Sequence, residues 1–485
     1  MNKFTVSLLI LASSIAINVY SQTVSIDNTF GQEGRTIIPN TSDIYFFDFD
    51  SYGNIFAVGY TLKGDVKSDL TIAKTNADGV IDENFGSNGI VKVTDYDRIF
   101  PIGTKITNDN KIVVIGSFTK VQFQGYQTIM MRFNENGTVD ENFGVDGKVD
   151  LNFNTGDIIS INCDNDDFML IAKKDYQSEN QYPHIVKYNY NGEIDETFGE
   201  NGVVYLTNTI FPYSIKKLNN GSIIVAGTYN SWPYKELGIC KLTPDGEFDA
   251  DFSDNGIWHK NIMQDFDLDH EYFSNIFEDK EGNIVLSGSG LTNSLGWFNR
   301  AFLSKFSSNG TLDTSFGNNG FYCFDFVGSN KPIFQIGNKY ITAGWNEGHD
   351  IISVNNDGSF GDDVYTCDIH YFQAMKLQGD NKIILGGGYI TDNAHNVNFI
   401  LERVIVDSEN SANFKYSSSE DPIIYPNPTR DILYFGNETA FEIIDIQGRV
   451  LLNSTTHVKS VYVGGLAAGI YFVRLGNSVQ KFIKK

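Results

Sequence analysis

The chain has 485 residues, with 60 acidic side chains against 36 Lys and Arg, for a formal net charge of −24. Such acidity repels phosphate backbones and argues against a nucleic-acid partner. The four cysteines form no CxxC pair and the seven histidines are dispersed, so no metal centre and no cofactor are expected.

The N-terminus, MNKFTVSLLILASSIAINVYSQ, has a positive Lys3, an apolar stretch over 4–17 and a permissive Val19-Tyr20-Ser21. The apolar run is too short and wrongly flanked for a membrane anchor, so residues 1–21 read as a cleaved signal peptide. No Cys sits at the cut to carry a lipid, and no later segment is apolar enough to span a bilayer. The expected location is therefore outside the cell, reached through the periplasm.

From residue 27 onward one phrase recurs: Asp, two variable residues, Phe-Gly, two more, Gly. It reads DNTFGQEG at 27–34, DENFGSNG at 82–89, DENFGVDG at 140–147 and DETFGENG at 195–202. It continues as DADFSDNG at 249–256 and DTSFGNNG at 313–320, and decays to DGSFGDD at 357–363. The Phe positions (30, 85, 143, 198, 252, 316, 360) give a mean step of 55 residues, the size of a stacked supersecondary unit.

Each unit predicts four strands. A short alternating segment such as IYFFDFD (44–50) or FPYSIKKL (211–218) is followed by a β-rich run ending near Gly, as in NIFAVG (54–59) or SIIVAG (222–227). A variable connection leads to a third run, such as IMMRFN (129–134), then to an Asn-Gly or Asp-Gly pair of the kind that turns hairpins. The fourth run carries the repeated phrase. Four short strands without helical periodicity predict a propeller blade. The chain enters with only a fourth strand and leaves near 406 with strands one to three, so the two ends should build one blade together. The expected fold over 22–406 is an all-β, seven-bladed β-propeller without an open sheet edge.

A calcium loop needs about five oxygens at fixed offsets, and FSSNGTLD (306–313) replaces the acids with neutral residues. The repeated Asp is therefore expected to cap a turn, the Phe to fill the space between blades, and the Gly to allow a close approach. Cys323 and Cys367 stand seven residues after a motif Phe, at equivalent outer positions of neighbouring blades, too far apart for a bridge. Buried thiols are expected, with Cys163 and Cys240 alike. The pattern over 24–406 resembles the delta-60 repeat of secreted bacterial propeller-like proteins, departing from it at Ser253 and in the truncated seventh copy. That resemblance implies the fold and no defined activity.

Residues 407–422 (DSENSANFKYSSSEDP) break the period and read as a linker. The tail, 423–485, carries +3 against −27 for the rest of the chain, which marks a separately built domain. Its alternating strands predict a small Ig-like β-sandwich. Its motifs are Tyr425-Pro426-Asn427-Pro428, Asp445-x-x-Gly448-Arg449, Leu466-x-x-Gly469-Ile470-Tyr471-Phe472 and the closing Lys484-Lys485. They resemble the type A C-terminal sorting domain of the type IX secretion system. The resemblance implies export across the outer membrane of a Bacteroidetes-type bacterium, with the secretion machinery as partner and cleavage near 407–422.

No nucleophile elbow, HExxH or phosphate loop appears, and His184, His259, His270, His349, His370, His395 and His457 read as surface or satisfied residues rather than ligands. Asp265, Asp267 and Asp269 read as a solvated loop. One distribution points to binding: Trp232, Tyr234, Trp297, Phe298, Trp345 and Tyr389, with Tyr60, Phe123, Tyr126, Tyr176 and Tyr182, fall in or beside the second-to-third strand connections. Aromatics ringing one channel mouth suit sugar rings or peptide side chains. The expectation is a non-enzymatic binding or adhesion module for a glycan, peptide or surface protein. The alternatives are a glycan lyase or hydrolase with its site at the mouth, or a purely structural surface protein.

Overall fold

The computed structural model describes residues 24–485 except 65–66, 120–126, 155–157, 164–166, 173–182, 207–209, 230–235, 263–268, 293–297, 328–330, 346–348, 368, 391–396, 407–423, 426–428, 446–448 and 476–477. It contains strands and no helix among those residues, and separates into two compact units, 22–408 and a second containing 409–485.

In the larger unit the strands form successive antiparallel groups of four. The first complete group is Asp43–Phe49, Ile55–Lys63, Lys67–Thr75 and Ile90–Val93, paired in that order. Groups over 98–154, 158–205 and 210–260 repeat it. Those over 269–327 and 334–367 are joined by a single pair, Val327 with Trp345. The last group, Tyr371–Gln378, Lys382–Ile390 and Val397–Val406, is completed from the N-terminus. Val24–Ile26 and Arg35–Ile38 both pair with Val397–Val406, with Val24 opposite Val406 and Arg35 opposite Glu402.

Hydrophobic layers lie between groups, and their order is cyclic. Phe47 and Ile55 pack with Phe399 and Leu401 of the closing group, while Phe56 and Val58 pack with Ile112 and Val114 of the next. The sequence of layers runs on until Ile341 and Ile351 meet Ile383, Val404 and Val24. The first strands touch from group to group from Tyr371–Gln378 through Asp43–Phe49 and on to Asp269–Glu278, and so line the axis.

The repeated phrase builds these layers. Phe30, Phe85, Phe143, Phe198, Phe252 and Phe316 are all buried between groups. The motif Asp accepts from the amide two residues on, as Asp27 does from Thr29 at 3.1 Å and Asp195 from Thr197 at 3.2 Å, and it also pairs with a cation of the third strand. Lys74–Asp82, Arg132–Asp140, Lys187–Asp195 and Lys241–Asp249 lie 3.2, 2.7, 2.9 and 3.1 Å apart. Arg132 also covers the Phe143 ring at 4.4 Å. The turn glycine of the next group completes the fit. Gly192 has φ +81°, and a Cβ there would fall 2.5 Å from Val149 Cγ2 and 2.8 Å from the Phe143 ring. Ser253, which departs from the pattern, adopts the left-handed conformation of the glycine it replaces (φ +49°) and keeps its amide bond to Asn309 O.

The terminal strands repeat this contact between the chain's two ends, because Arg403 Nε lies 2.8 Å from Asp27 Oδ2. Burial pushes the Asp27 carboxyl up, but bonds from Thr29 and the Arg403 charge outweigh it and hold it at about 2. A depressed carboxylate stabilises the fold above its ordinary value near 3.8 and loses that contribution as pH falls through about 2. The stability advantage of the native protein over Asp27→Asn should therefore shrink across that window in unfolding curves taken at successive pH values.

The seventh copy differs. Phe360 is 42% exposed and begins a strand, Phe360–Cys367, and the layer behind it is filled by Val24, Ile369 and Phe372. Cys240 and Cys367 are buried and Cys323 half-buried, each a thiol; the side chain of Cys163 lies outside the description. Cys323, expected to be buried, is thus partly open.

In the second unit, Ile432–Ile444 pairs with Val450–Tyr462 and with Gly469–Leu475, which pairs in turn with Ser478–Lys484. Ile424–Tyr425 adds the fifth strand of this sheet. Leu433, Phe441, Ile443, Val473 and Phe482 form its core.

Candidate functional site

Five of the first strands are interrupted near their start. Ile44, Pro101, Pro212, Phe273 and Phe372 stand opposite a second-strand glycine, and the register shifts immediately afterwards. Such a bulge adds one residue and re-aims the side chains around it. It brings the bulged backbone across the glycine: a Cβ on Gly227 would meet Phe211 O at 2.0 Å. Large residues beside three of these positions alternate out of the layers. Phe100, Phe211, Tyr213 and Tyr371 are 39%, 40%, 39% and 45% exposed, although they lie on the strands surrounding the axis. They sit at the end where first strands begin and second strands finish, which is one mouth of the channel.

Between the closing group and the group 43–93, this mouth contains a cluster. Asp43 Oδ2 accepts from Tyr60 OH at 3.2 Å, and the Tyr45 and Tyr60 rings are 5.6 Å apart. Asp43 Oδ1 is shielded from water and has no hydrogen-bond partner. It lies against Gly388, where a Cβ would fall 1.8 Å away. Burial pushes the Asp43 carboxyl up against the opposing Tyr60 bond, and burial with the Asp43 charge raises the Tyr45 and Tyr60 phenols.

Histidines pair with tyrosines towards the same end: His184 with Tyr205, His370 with Tyr389, and His259 stacked on Tyr229 at 4.0 Å with Nδ1 2.5 Å from Glu236. No group of three or more metal-ligating side chains occurs among the described residues. An open groove of about 760 Å³ lies away from the mouth, on the outer flank, lined by the motif loop Gly31–Glu33 and the turn at Gly79 that build the first inter-group contact.

Of the aromatics expected from sequence, Trp232, Tyr234, Trp297, Phe123, Tyr126, Tyr176 and Tyr182 lie outside the described residues, as do Asp265 and Asp267. Phe298 opens a third strand and Trp345 ends a second strand; their side chains are likewise outside the description. Tyr389 is half-buried and packs on the layer between 334–367 and the closing group. Tyr60 belongs to the Asp43 cluster. Sequence reasoning missed the exposed first-strand aromatics; their signal was the run of aromatic and proline pairs in RIFPI, IFPYS and YFQAM.

In the tail, Pro426, Asn427, Pro428 and Gly448 lie outside the described residues. Arg449 Nε meets Asp445 Oδ2 at 2.7 Å. Tyr471 is buried and donates to Ala467 O at 2.9 Å, and Gly469 pairs with Lys484. Lys484 is buried, its Nζ 2.7 Å from Lys485 O, and Lys485 N donates to Thr429 O at 2.9 Å. These residues hold the sheet's last strand in place.

Residues 423–485 match the family described as a secretion system C-terminal sorting domain. Residues 107–143, 218–252 and 282–316 match a β-propeller domain of unknown function, DUF5122. The chain is a propeller protein with a type IX secretion sorting tail. Export to the cell surface or the extracellular space follows from that tail. Among solved structures, a Dyadobacter fermentans protein of unknown function is 11% identical, with 79% of this chain and 99% of that one covered and a TM-score of 0.41. The β-propeller domain of the Trilobed protease from Pyrococcus furiosus is 10% identical over 78% of this chain and 100% of that one, TM-score 0.42. Drosophila Semaphorin 2a is 7% identical over 95% and 98%, TM-score 0.46. A search of curated proteins finds no match. No helix among the described residues is long and apolar enough to cross a membrane.

Proposed function

We propose that the mature protein is a secreted or cell-surface binding and adhesion module of a Bacteroidetes-type bacterium. Residues 22–406 form a seven-bladed propeller of delta-60 type and 423–485 an Ig-like sandwich that engages the secretion machinery. Residues 1–21 are removed as a signal peptide, and the tail is cut within 407–422 after export. The ligand is a glycan or a peptide, held at the channel mouth. The observation that carries this reading is the exposure of Phe100, Phe211, Tyr213 and Tyr371 on strands that surround the axis. Flat aromatic faces stack on sugar rings and on peptide side chains.

The test is a glycan and peptide binding screen on the mature protein, repeated with Phe211→Ala and Tyr371→Ala. Ligands found with the native protein should bind at least about tenfold more weakly to the double variant, at an unchanged melting temperature. Undiminished binding by a folded double variant contradicts a site at this mouth.

A further inference from the structure

The contact between the groups 269–327 and 334–367 departs from those before it. The third-strand cation eight residues before the motif Asp is here Lys305. The turn it faces in the next group carries Asn356, where the earlier turns carry Glu135, Tyr190, Pro244 and Ser308. Lys305 Nζ donates to Asn356 Oδ1 at 2.6 Å and lies 3.8 Å from Asp279 Oδ2. Tyr340, on the second strand of the next group, has its hydroxyl 2.9 Å from Asp279 Oδ2 and 2.7 Å from Asn356 Oδ1. Lys305, Asp279 and Tyr340 are buried, and Asn356 is half-buried. An amine, a carboxamide, a carboxylate and a phenol therefore meet at one point between two groups.

An ammonium has donors only, so the carboxamide must turn its oxygen to Lys305. The Tyr340 hydroxyl then has one proton and two acceptors, that oxygen and Asp279 Oδ2. Moving a proton from Lys305 to Asp279 resolves the conflict. The new acid donates to Tyr340, the Tyr340 proton turns to Asn356 Oδ1, and the amine is left neutral beside a polarised carbonyl. Burial and the bond to the Asp279 carboxylate push the Tyr340 phenol up, which keeps it a donor. A nitrogen 2.6 Å from Oδ1 stands about 3.5 Å from Cγ, the range from which a nucleophile attacks. We propose that Lys305 and Asn356 become joined by an amide bond between their side chains, formed by the folded protein on itself. The Lys305 amine attacks Asn356 Cγ while Tyr340 donates to the oxyanion. Asp279 gives the proton it holds to the departing Asn356 nitrogen and takes a second one from the attacking nitrogen as the Cγ–Nδ2 bond breaks. Ammonia leaves with that last proton as ammonium, and Asp279 ends as the carboxylate it began as. One ammonium side chain and one carboxamide thus give one secondary amide and one ammonium ion, with no oxidant or cofactor. The product ties two neighbouring groups together covalently.

The test is a tryptic peptide map of the denatured mature protein, read by mass spectrometry. The native protein should yield a branched peptide joining Lys305 to Asn356, lighter by one ammonia than its two arms together, and no cleavage after Lys305. Asn356→Ala should restore that cleavage. Asp279→Asn should leave at least about tenfold fewer chains linked, for want of the group that moves the protons. Melting curves establish that both variants are folded, and the native map decides the main point without either. Full recovery from the native protein of the peptide ending at Lys305 overturns the proposal, as does a branched peptide that joins Lys305 to any other residue. Equal linkage in folded Asp279→Asn overturns the part assigned to Asp279.

Discussion

Arg403→Met is expected to destabilise the propeller by about 3–5 kcal/mol, the cost of leaving one member of a buried ion pair uncompensated. Arg403 is almost fully buried. Its Nε meets Asp27 Oδ2 at 2.8 Å, Nη1 reaches Ala77 O at 2.8 Å and Gln378 Oε1 at 3.0 Å, and Nη2 reaches Thr29 Oγ1 at 3.2 Å. The guanidinium lies 4.8 Å from the Phe30 ring. One side chain of the last strand thereby holds the first strand, the turn of the next group and its own group. Arg403→Lys should recover only part of the loss, because an ammonium lacks the planar fork that reaches several acceptors at once. Removing Arg474 from its pair with Glu442 in the tail should cost no more than about 1 kcal/mol, since both partners are substantially exposed. Denaturant unfolding of the chain over residues 22–485, tail retained, and of its variants measures all three.

Phe143→Ala and Phe360→Ala should behave as opposites although both residues occupy the same place in the repeated phrase. Phe143 is fully buried between Arg132, Val149 and the turn at Gly192. Truncating it opens a cavity in a layer that two groups share, at about 3–5 kcal/mol. Phe360 is 42% exposed at the start of a strand, so its replacement should stay within about 0.5 kcal/mol. Thermal melts of the two variants separate these outcomes. Equal effects would mean that the seventh copy still acts as an inter-group wedge.

Much of the architecture was legible in the residues because the signals are local. Asn-Gly and Asp-Gly pairs turn hairpins wherever they occur, and the Phe-Gly period counts the units. The split of one group between the two ends follows from where that period starts and stops, and the pairing of Val24 with Val406 agrees with it. The decay at 357–363 flagged the one layer built without a motif Phe. What stayed hidden depends on distance. A lysine or arginine eight residues before the motif Asp looks like ordinary strand polarity until the ion pairs are seen. The mouth aromatics escaped because IFPYS reads as a half-buried strand whose large rings would fill the core, whereas its alternation buries Ile210, Pro212 and Ser214 and leaves Phe211 and Tyr213 exposed. Asp43 could not be singled out at all, since its neighbour Gly388 arrives only when the ring closes.

Closure by the two chain ends is the claim on which the inter-group layers and the Asp43 cluster both depend. Hydrogen–deuterium exchange on the mature protein tests it through the amides of Val24–Ile26. If these residues form the outer strand of the closing group, their exchange should be slowed as strongly as that of Val397–Val406, and Arg403→Met should release both together. Exchange of Val24–Ile26 at the rate of an unstructured terminus, with Val397–Val406 still protected, would contradict the account.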